Sequence, residues 1–266
     1  MALYDNRPIR WMAWRFGMRN PRLRRALTRL LVPDRTERVR LLGADVSVNR
    51  RSEIGYWRAA RAQRSNIVFA DEVPSLLHIT ALMRPGMTFV DCGANVGLFS
   101  AVIVPLQRVH ARLRVHAFEP NPETFARLKE TLAGTDAVLE NVALSDHSGT
   151  LDLAAAATSG AFGVPHSHFQ IVDETVSVPC KRLDACDIAG DRLFLKVDVE
   201  GHELEVLEGA RGLFAAGRVA AVFVDGALKE RDVVALLEGH GFRVLNGHTL
   251  APYALGGHKI LALSPS

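Results

Sequence analysis

Hydrophobic positions along the chain follow two rhythms in alternation. Short runs rich in Val, Ile, Phe and Leu, at 88–91, 113–118, 137–143, 193–198, 219–224, 242–245 and 258–263, predict strands. Between them the apolar positions recur every three or four residues, which predicts helices over 97–106, 122–133, 202–215 and 229–239. A further helix over 71–83 precedes the first strand, and Arg84-Pro85-Gly86 is the turn between them. Strands alternating with helices imply a parallel sheet joined by right-handed crossovers. Stretches 149–153 and 176–179 alternate like half-exposed strands and flank a small-residue loop, 154–170, that carries His166 and His168. Nearer the N-terminus, Leu23, Leu27, Leu30 and Leu31 form one apolar stripe of a helix stopped by Pro33, and a β-like stretch follows over 39–48.

The segment around the first strand organises the rest. Phe89-Val90-Asp91 ends in an acid, Gly93 and Gly97 shape a turn, and the apolar run from Leu98 opens a helix. A strand, a glycine turn and a helix N-terminus form a nucleotide-binding crevice, because glycine lets backbone approach a ligand and the helix offers unpaired N–H groups. The spacing Asp91-x-Gly93-x-x-x-Gly97 is not the G-x-G-x-x-G of a dinucleotide site. Asp91 stands where a pyrophosphate would crowd in, so it suits a ligand bearing an ammonium group, as the methionyl amine of S-adenosylmethionine does. A second strand ends at Glu119, about 20 residues past the turn, the offset at which an acid meets ribose hydroxyls.

Composition narrows the class. At 266 residues, 48% hydrophobic and 23% charged, the chain has enough apolar sequence for one packed α/β domain plus an extension. Three cysteines, Cys92, Cys180 and Cys186, have neither C-x-x-C nor metal spacing, which argues for a reducing compartment. With no signal-peptide core and no uncharged run near 20 residues, a cytoplasmic protein without a transmembrane segment is expected. The net charge of +3 is uneven: residues 1–64 hold 16 Arg, no Lys and 5 acids, or +11, and the remainder carries −8. We divide the chain into a basic N-terminal extension, 1–66, and a main domain, 67–266. The extension, with Trp11, Trp14 and Phe16 among its arginines, reads as a helical lid or a homo-oligomer arm. Contact with an anionic substrate and peripheral contact with an anionic membrane stay open.

Four motifs in order, 91–97 (DCGANVG), 118–120 (FEP), 141–146 (NVALSD) and 196–203 (KVDVEGHE), resemble those of FkbM-type S-adenosylmethionine-dependent methyltransferases. The resemblance covers roughly 67–263. It implies the class I methyltransferase fold, a Rossmann-like doubly wound sheet of seven strands whose last runs antiparallel. It also implies S-adenosylmethionine as cofactor, with Asp91, Gly93, Ala94, Asn95 and Gly97 at its methionyl end. Glu119 would take the ribose hydroxyls, with Pro120 and Asn121 shaping that wall. Asn141, Val142 and Ala143 would flank the adenine, and Asp146 would accept from its amino group, although 141–146 also reads as an ordinary strand end and turn. The chain departs from the usual family pattern at His202 and at Asp225, and residues 1–60 have no counterpart.

Methyl transfer asks mainly for alignment, and a hydroxyl nucleophile also asks for a proton acceptor. The strand over 193–198 delivers Asp198 to the carboxyl edge of the sheet; if the chain stays extended, Glu200 and His202 share its side. Asp198, Glu200 and His202 are the catalytic candidates. Glu200 and Glu203 could instead cap the following helix, and the three candidates could in principle hold a divalent ion, although no second ligand set supports a metal. The favoured reading is an O-methyltransferase acting on a small molecule or sugar. A nucleic-acid methyltransferase using the arginine-rich arm is disfavoured by the lack of an RNA-binding module, and a non-catalytic cofactor-binding subunit is the remaining alternative.

Overall fold

The structure is a computed structural model that describes residues 30–61, 67–155, 162–163 and 174–265. The Leu23–Leu27 part of the striped helix, Trp11, Trp14, Phe16, His166 and His168 lie outside the described residues. In chain order, β1 (Thr36–Leu41) and β2 (Ala44–Asn49) form an antiparallel hairpin, followed by α1 (Ile54–Arg61) and α2 (Ile67–Leu82). Next come β3 (Met87–Cys92), α3 (Leu98–Ile103), β4 (Arg114–Phe118), α4 (Pro122–Thr131) and β5 (Val138–Glu140). A second sheet uses β6 (Ala143–Ser145), β7 (Gly149–Ala155), β8 (Phe162–Gly163) and β9 (Glu174–Arg182). The chain ends with β10 (Arg192–Val197), α5 (Glu203–Glu208), α6 (Arg211–Ala215), β11 (Val219–Asp225), α7 (Glu230–Gly239), β12 (Arg243–Asn246) and β13 (Lys259–Leu263). Among the described residues no helix is long and apolar enough to cross a membrane.

The central sheet has seven strands in the order β12-β13-β11-β10-β3-β4-β5, with β13 antiparallel to both neighbours. Its middle strands, β3 and β10, are apolar almost throughout because both their faces are covered. Phe89 packs on one face with Met83, Phe99 and Ile103, and Val90 and Cys92 pack on the other with Val206, Leu207 and Phe214. From β3 the chain winds outward through β4 and β5, then returns to β10 on the opposite side. The strand order therefore reverses between β3 and β10, and the crevice beyond their carboxyl ends is where open α/β sheets take ligands.

Two expectations change. The strand expected over 137–143 divides: β5 stays in the main sheet, while β6 leaves it to pair with β9. Asn141 marks the division, its Nδ2 donating to the carbonyls of Glu119 (2.8 Å) and Pro120 (3.0 Å). The helix expected over 202–215 breaks into α5 and α6 at Gly209, where a Cβ would lie 2.0 Å from the Ser145 carbonyl oxygen. The described part of the extension is a hairpin, in line with the β-like stretch expected over 39–48, and a helix, both built into the core. Val46, Val48 and Trp57 cluster with Val96 and Leu98, and Arg127 of α4 donates to buried Glu53 at 2.8 Å.

Candidate active site

A cleft of about 630 Å³, solvent at its mouth included, opens at the carboxyl ends of β3 and β10. Gly93, Asn95, Glu119, Pro120, Val142, Ala143, Asp198, Glu200 and His202 line it, as does Leu144. Leu151 and Leu153, two residues apart on β7, bring the second sheet to its wall. Asp91, Ala94, Gly97, Asn121, Asn141 and Asp146 do not line it.

The glycine turn is held by its own hydrogen bonds. Gly93 and Ala94 both donate to the Phe118 carbonyl, at 3.0 and 2.9 Å. Gly93 has φ +77°, and a Cβ there would lie 2.0 Å from the Asp198 carbonyl oxygen. Asn95 also adopts a left-handed φ, +51°, its Oδ1 accepting from the Val96 N–H at 2.8 Å. Gly97 serves packing: a Cβ would meet Leu128 Cδ1 at 2.6 Å. Each Glu119 oxygen accepts one backbone N–H at 2.9 Å, from Asn95 and from Asn121, leaving each with further acceptor capacity. Burial pushes this carboxyl up to about 7 against the pull of those donors. Asn121 caps α4, its Oδ1 accepting from Glu123 and Thr124. Asp146 points its carboxylate at His147 and Ser145 beside the cleft.

Asp91 departs from expectation. It is fully buried, its Oδ2 accepts from Ser100 Oγ at 2.7 Å, and its Oδ1 faces Lys196 Nζ at 3.1 Å. The ammonium group beside it belongs to the chain itself. Lys196 reaches Asp198 Oδ2 as well, at 3.3 Å.

The expectation that Asp198, Glu200 and His202 share one extended side also fails. Glu200 has φ +55° and Gly201 +102°, so the chain turns sharply, yet the turn still delivers Glu200 and His202 to the cleft. Burial, with Asp198 and Asp225 nearby, pushes the Glu200 carboxyl up to about 7. Glu203 does the capping, its Oε1 accepting from Gly201 N at 2.7 Å. Both His202 nitrogens have neighbours: Nε2 sits 2.9 Å from Ser145 Oγ and Nδ1 3.6 Å from Glu205 Oε2. Burial lowers the pKa of this ring. His202 lines the cleft with its Nε2 beside Ser145 Oγ. From the N-terminal elements, Tyr56 and Glu72 come within electrostatic reach of Asp198, and burial pushes Glu72 up to about 7. Asp225, at the end of β11, pairs with buried Lys259. Among the described residues no group of three metal-ligating side chains converges.

Sequence reasoning missed Lys196, Ser145 and the leucines of β7. Lys196 had one local signal, an ionisable side chain inside an otherwise apolar run.

A doubly wound sheet with an antiparallel last strand and its crevice at the switch point is the class I methyltransferase architecture, whose methyl donor is S-adenosylmethionine. The donor set fits that cofactor: a buried acid with acceptor capacity for ribose hydroxyls, and an apolar wall at Val142, Ala143 and Leu144 for the base. The Methyltransferase FkbM domain matches residues 91–249, more than half of the chain, and the chain belongs to that family. It is 31% identical over 205 residues to 31-O-demethyl-FK506 methyltransferase FkbM of Streptomyces tacrolimicus, covering 61% of this chain and 75% of that protein. It is 30% identical over 152 residues to hexuronic acid methyltransferase AglP of Haloferax volcanii, covering 55% of this chain and 59% of that protein.

Proposed function

We propose that the protein transfers a methyl group from S-adenosylmethionine to a hydroxyl of a sugar or another small molecule. The observation that carries this reading is Glu200: a cleft carboxylate, fixed by a left-handed turn, that takes a proton near pH 7. A general base works best when its pKa lies near the working pH, and contributes about 10²–10⁴-fold. When bound, the cofactor supplies a methyl group on a sulfonium that leaves readily. The chain supplies the rest. Glu119 receives the ribose hydroxyls, Val142, Ala143 and Leu144 cover the base, and the Gly93 turn admits the methionyl end. Asp198 faces the acceptor side and Glu200 takes the hydroxyl proton. Of the two relatives, the 31-O-demethyl-FK506 methyltransferase is named for an oxygen acceptor and the hexuronic acid methyltransferase for a sugar acid, which supports an oxygen of a sugar or small molecule as acceptor.

The test is Glu200→Gln, assayed with radiolabelled S-adenosylmethionine against glucuronate-bearing glycans and polyhydroxylated macrolides. S-adenosylhomocysteine affinity should stay within a few-fold by calorimetry while transfer drops about 10²–10⁴-fold. In the wild type, transfer should rise with pH through about 7, where Glu200 loses its proton. Wild-type transfer by Glu200→Gln would remove Glu200 from the chemistry, and absence of cofactor binding would remove the reading altogether.

A further inference from the structure

Lys196 lies in the middle of the sheet, 2% exposed, where an unpaired ammonium would be prohibitively costly. It has three oxygen neighbours: Asp91 Oδ1 at 3.1 Å, Asp198 Oδ2 at 3.3 Å and the Gly93 carbonyl at 3.0 Å. Of these the Gly93 carbonyl accepts a hydrogen bond from Nζ, the two aspartates are its ion-pair partners, and the Phe99 ring lies 5.0 Å away. Burial alone would push the lysine down, but Asp91 and Asp198 together carry it well above the usual lysine range. The pairing follows from strand geometry. Lys196 stands directly beside Asp91 in the β10–β3 register, and Asp198 falls two residues on, on the same face. The two aspartates differ in freedom. Asp91 is sealed in and also held by Ser100, whereas the Asp198 side chain is 35% exposed at the cleft.

We propose that Lys196 is a positioning residue that ties the cleft carboxylate of Asp198 and the Gly93 carbonyl to the immobile Asp91, so that one Asp198 oxygen is committed to Nζ and the other serves the cleft. The inference rests on the methyl-transfer reading for what Asp198 does, but not for where Asp198 is held. Asp91, Lys196 and Asp198 sum to one negative charge, which suits a cationic sulfonium donor. The competing account is that Lys196 only neutralises Asp91, with no consequence for the cleft.

The double variant Asp91→Asn/Lys196→Met separates the two accounts, because it removes the buried pair together and keeps the single negative charge on Asp198. Lys196→Met alone leaves two aspartates without their cation and should lower the thermal midpoint; the double variant should recover most of that loss and bind S-adenosylhomocysteine within a few-fold of wild type. Its crystal structure should show the Asp198 carboxylate displaced, and methyl transfer should fall about 10²-fold, the cost of a misplacement near 1 Å. Lys196→Arg, which retains the charge and shifts the donors, should likewise fold and bind but turn over slowly. An unmoved Asp198 in the double variant, or wild-type turnover in both variants, overturns the proposal. If wild-type protein neither binds S-adenosylhomocysteine nor transfers methyl, the functional reading fails on its own, and the position of Asp198 still decides the role of Lys196.

Discussion

Gly86 and Gly93 share a left-handed backbone, φ +80° and +77°, and differ only in what surrounds them. At Gly86 a Cβ would meet nothing within 4 Å, so Gly86→Ala should cost only the backbone term, about 1–2 kcal/mol. At Gly93 the same atom would lie 2.0 Å from the Asp198 carbonyl, which is backbone and cannot swing aside. Gly93→Ala should therefore cost more stability than Gly86→Ala and abolish S-adenosylhomocysteine binding by calorimetry; retained binding would mean the β3 and β10 ends can part without harm. Gly93, Asn95 and Glu119 were legible in the sequence because turn chemistry is local and the second acid follows at a fixed offset. The surroundings of Asp91 were not. Its neighbour Lys196 is 105 residues away, and the register of two parallel strands cannot be read from either strand alone. Glu200 was legible by type but not by direction, since the left-handed turn at Glu200-Gly201 ends the two-residue period that the extended reading assumed.

At the scale of elements, the βα alternation was readable because each strand is apolar and each helix periodic, and the antiparallel last strand agrees with the family resemblance. The second sheet was only half readable. Strands β7 and β9 pair over Gly149↔Cys180 to Ala155↔Glu174, but β6 joins β9 rather than continuing β5, a choice made by tertiary pairing. The β-like stretch over 39–48 was readable, but its attachment was not, because charge counting separated it from the domain while its contacts fasten it there. Besides the shared apolar cluster, Ser47 N donates to Thr131 Oγ1 at 3.0 Å, and the Arg127–Glu53 pair joins α4 to the segment after β2. Glu53 is 3% exposed and Arg127 7%, so removing one partner leaves a charge without compensation. Arg127→Met should cost about 3–5 kcal/mol by chemical denaturation, and Glu53→Met/Arg127→Met should recover most of it. A loss below 1 kcal/mol for Arg127→Met would mean that the hairpin contributes little to the domain. Because α4 begins at the Asn121 cap beside Glu119, loosening it should also weaken S-adenosylhomocysteine binding.

Across the whole molecule, burial sets up a pH dependence of stability opposite in sign to that of the proposed chemistry. Glu72, Glu119, Glu200 and Glu203 are all pushed by burial to about 7 from an ordinary value of 4.5. Between those values the folded protein holds protons that the unfolded chain has released, so stability falls as pH rises from about 4.5 to about 7. Carboxylates held low by partners, such as Glu37, Asp146 and Asp184, act with the opposite sign, but their window closes near the ordinary carboxylate value. His116 and His202, kept neutral by burial, oppose the fall over part of the range, while Glu53, also raised by burial, adds to it. The thermal midpoint should accordingly peak near pH 5 and decline towards pH 8. Glu203 does not line the cleft, and a glutamine there can still accept from Gly201 N, so Glu203→Gln should reduce the decline without touching the wall. Scanning calorimetry of both proteins from pH 5 to 8 checks this; a flat or rising wild-type curve would show that these carboxyls do not hold their protons in the fold. Glu200 belongs to both slopes: the same deprotonation near pH 7 that readies it to accept a hydroxyl proton also leaves a buried charge in the apo protein. A bound sulfonium would offset that charge, so S-adenosylmethionine should raise the midpoint more at pH 8 than at pH 5, and more than the neutral thioether product does at either.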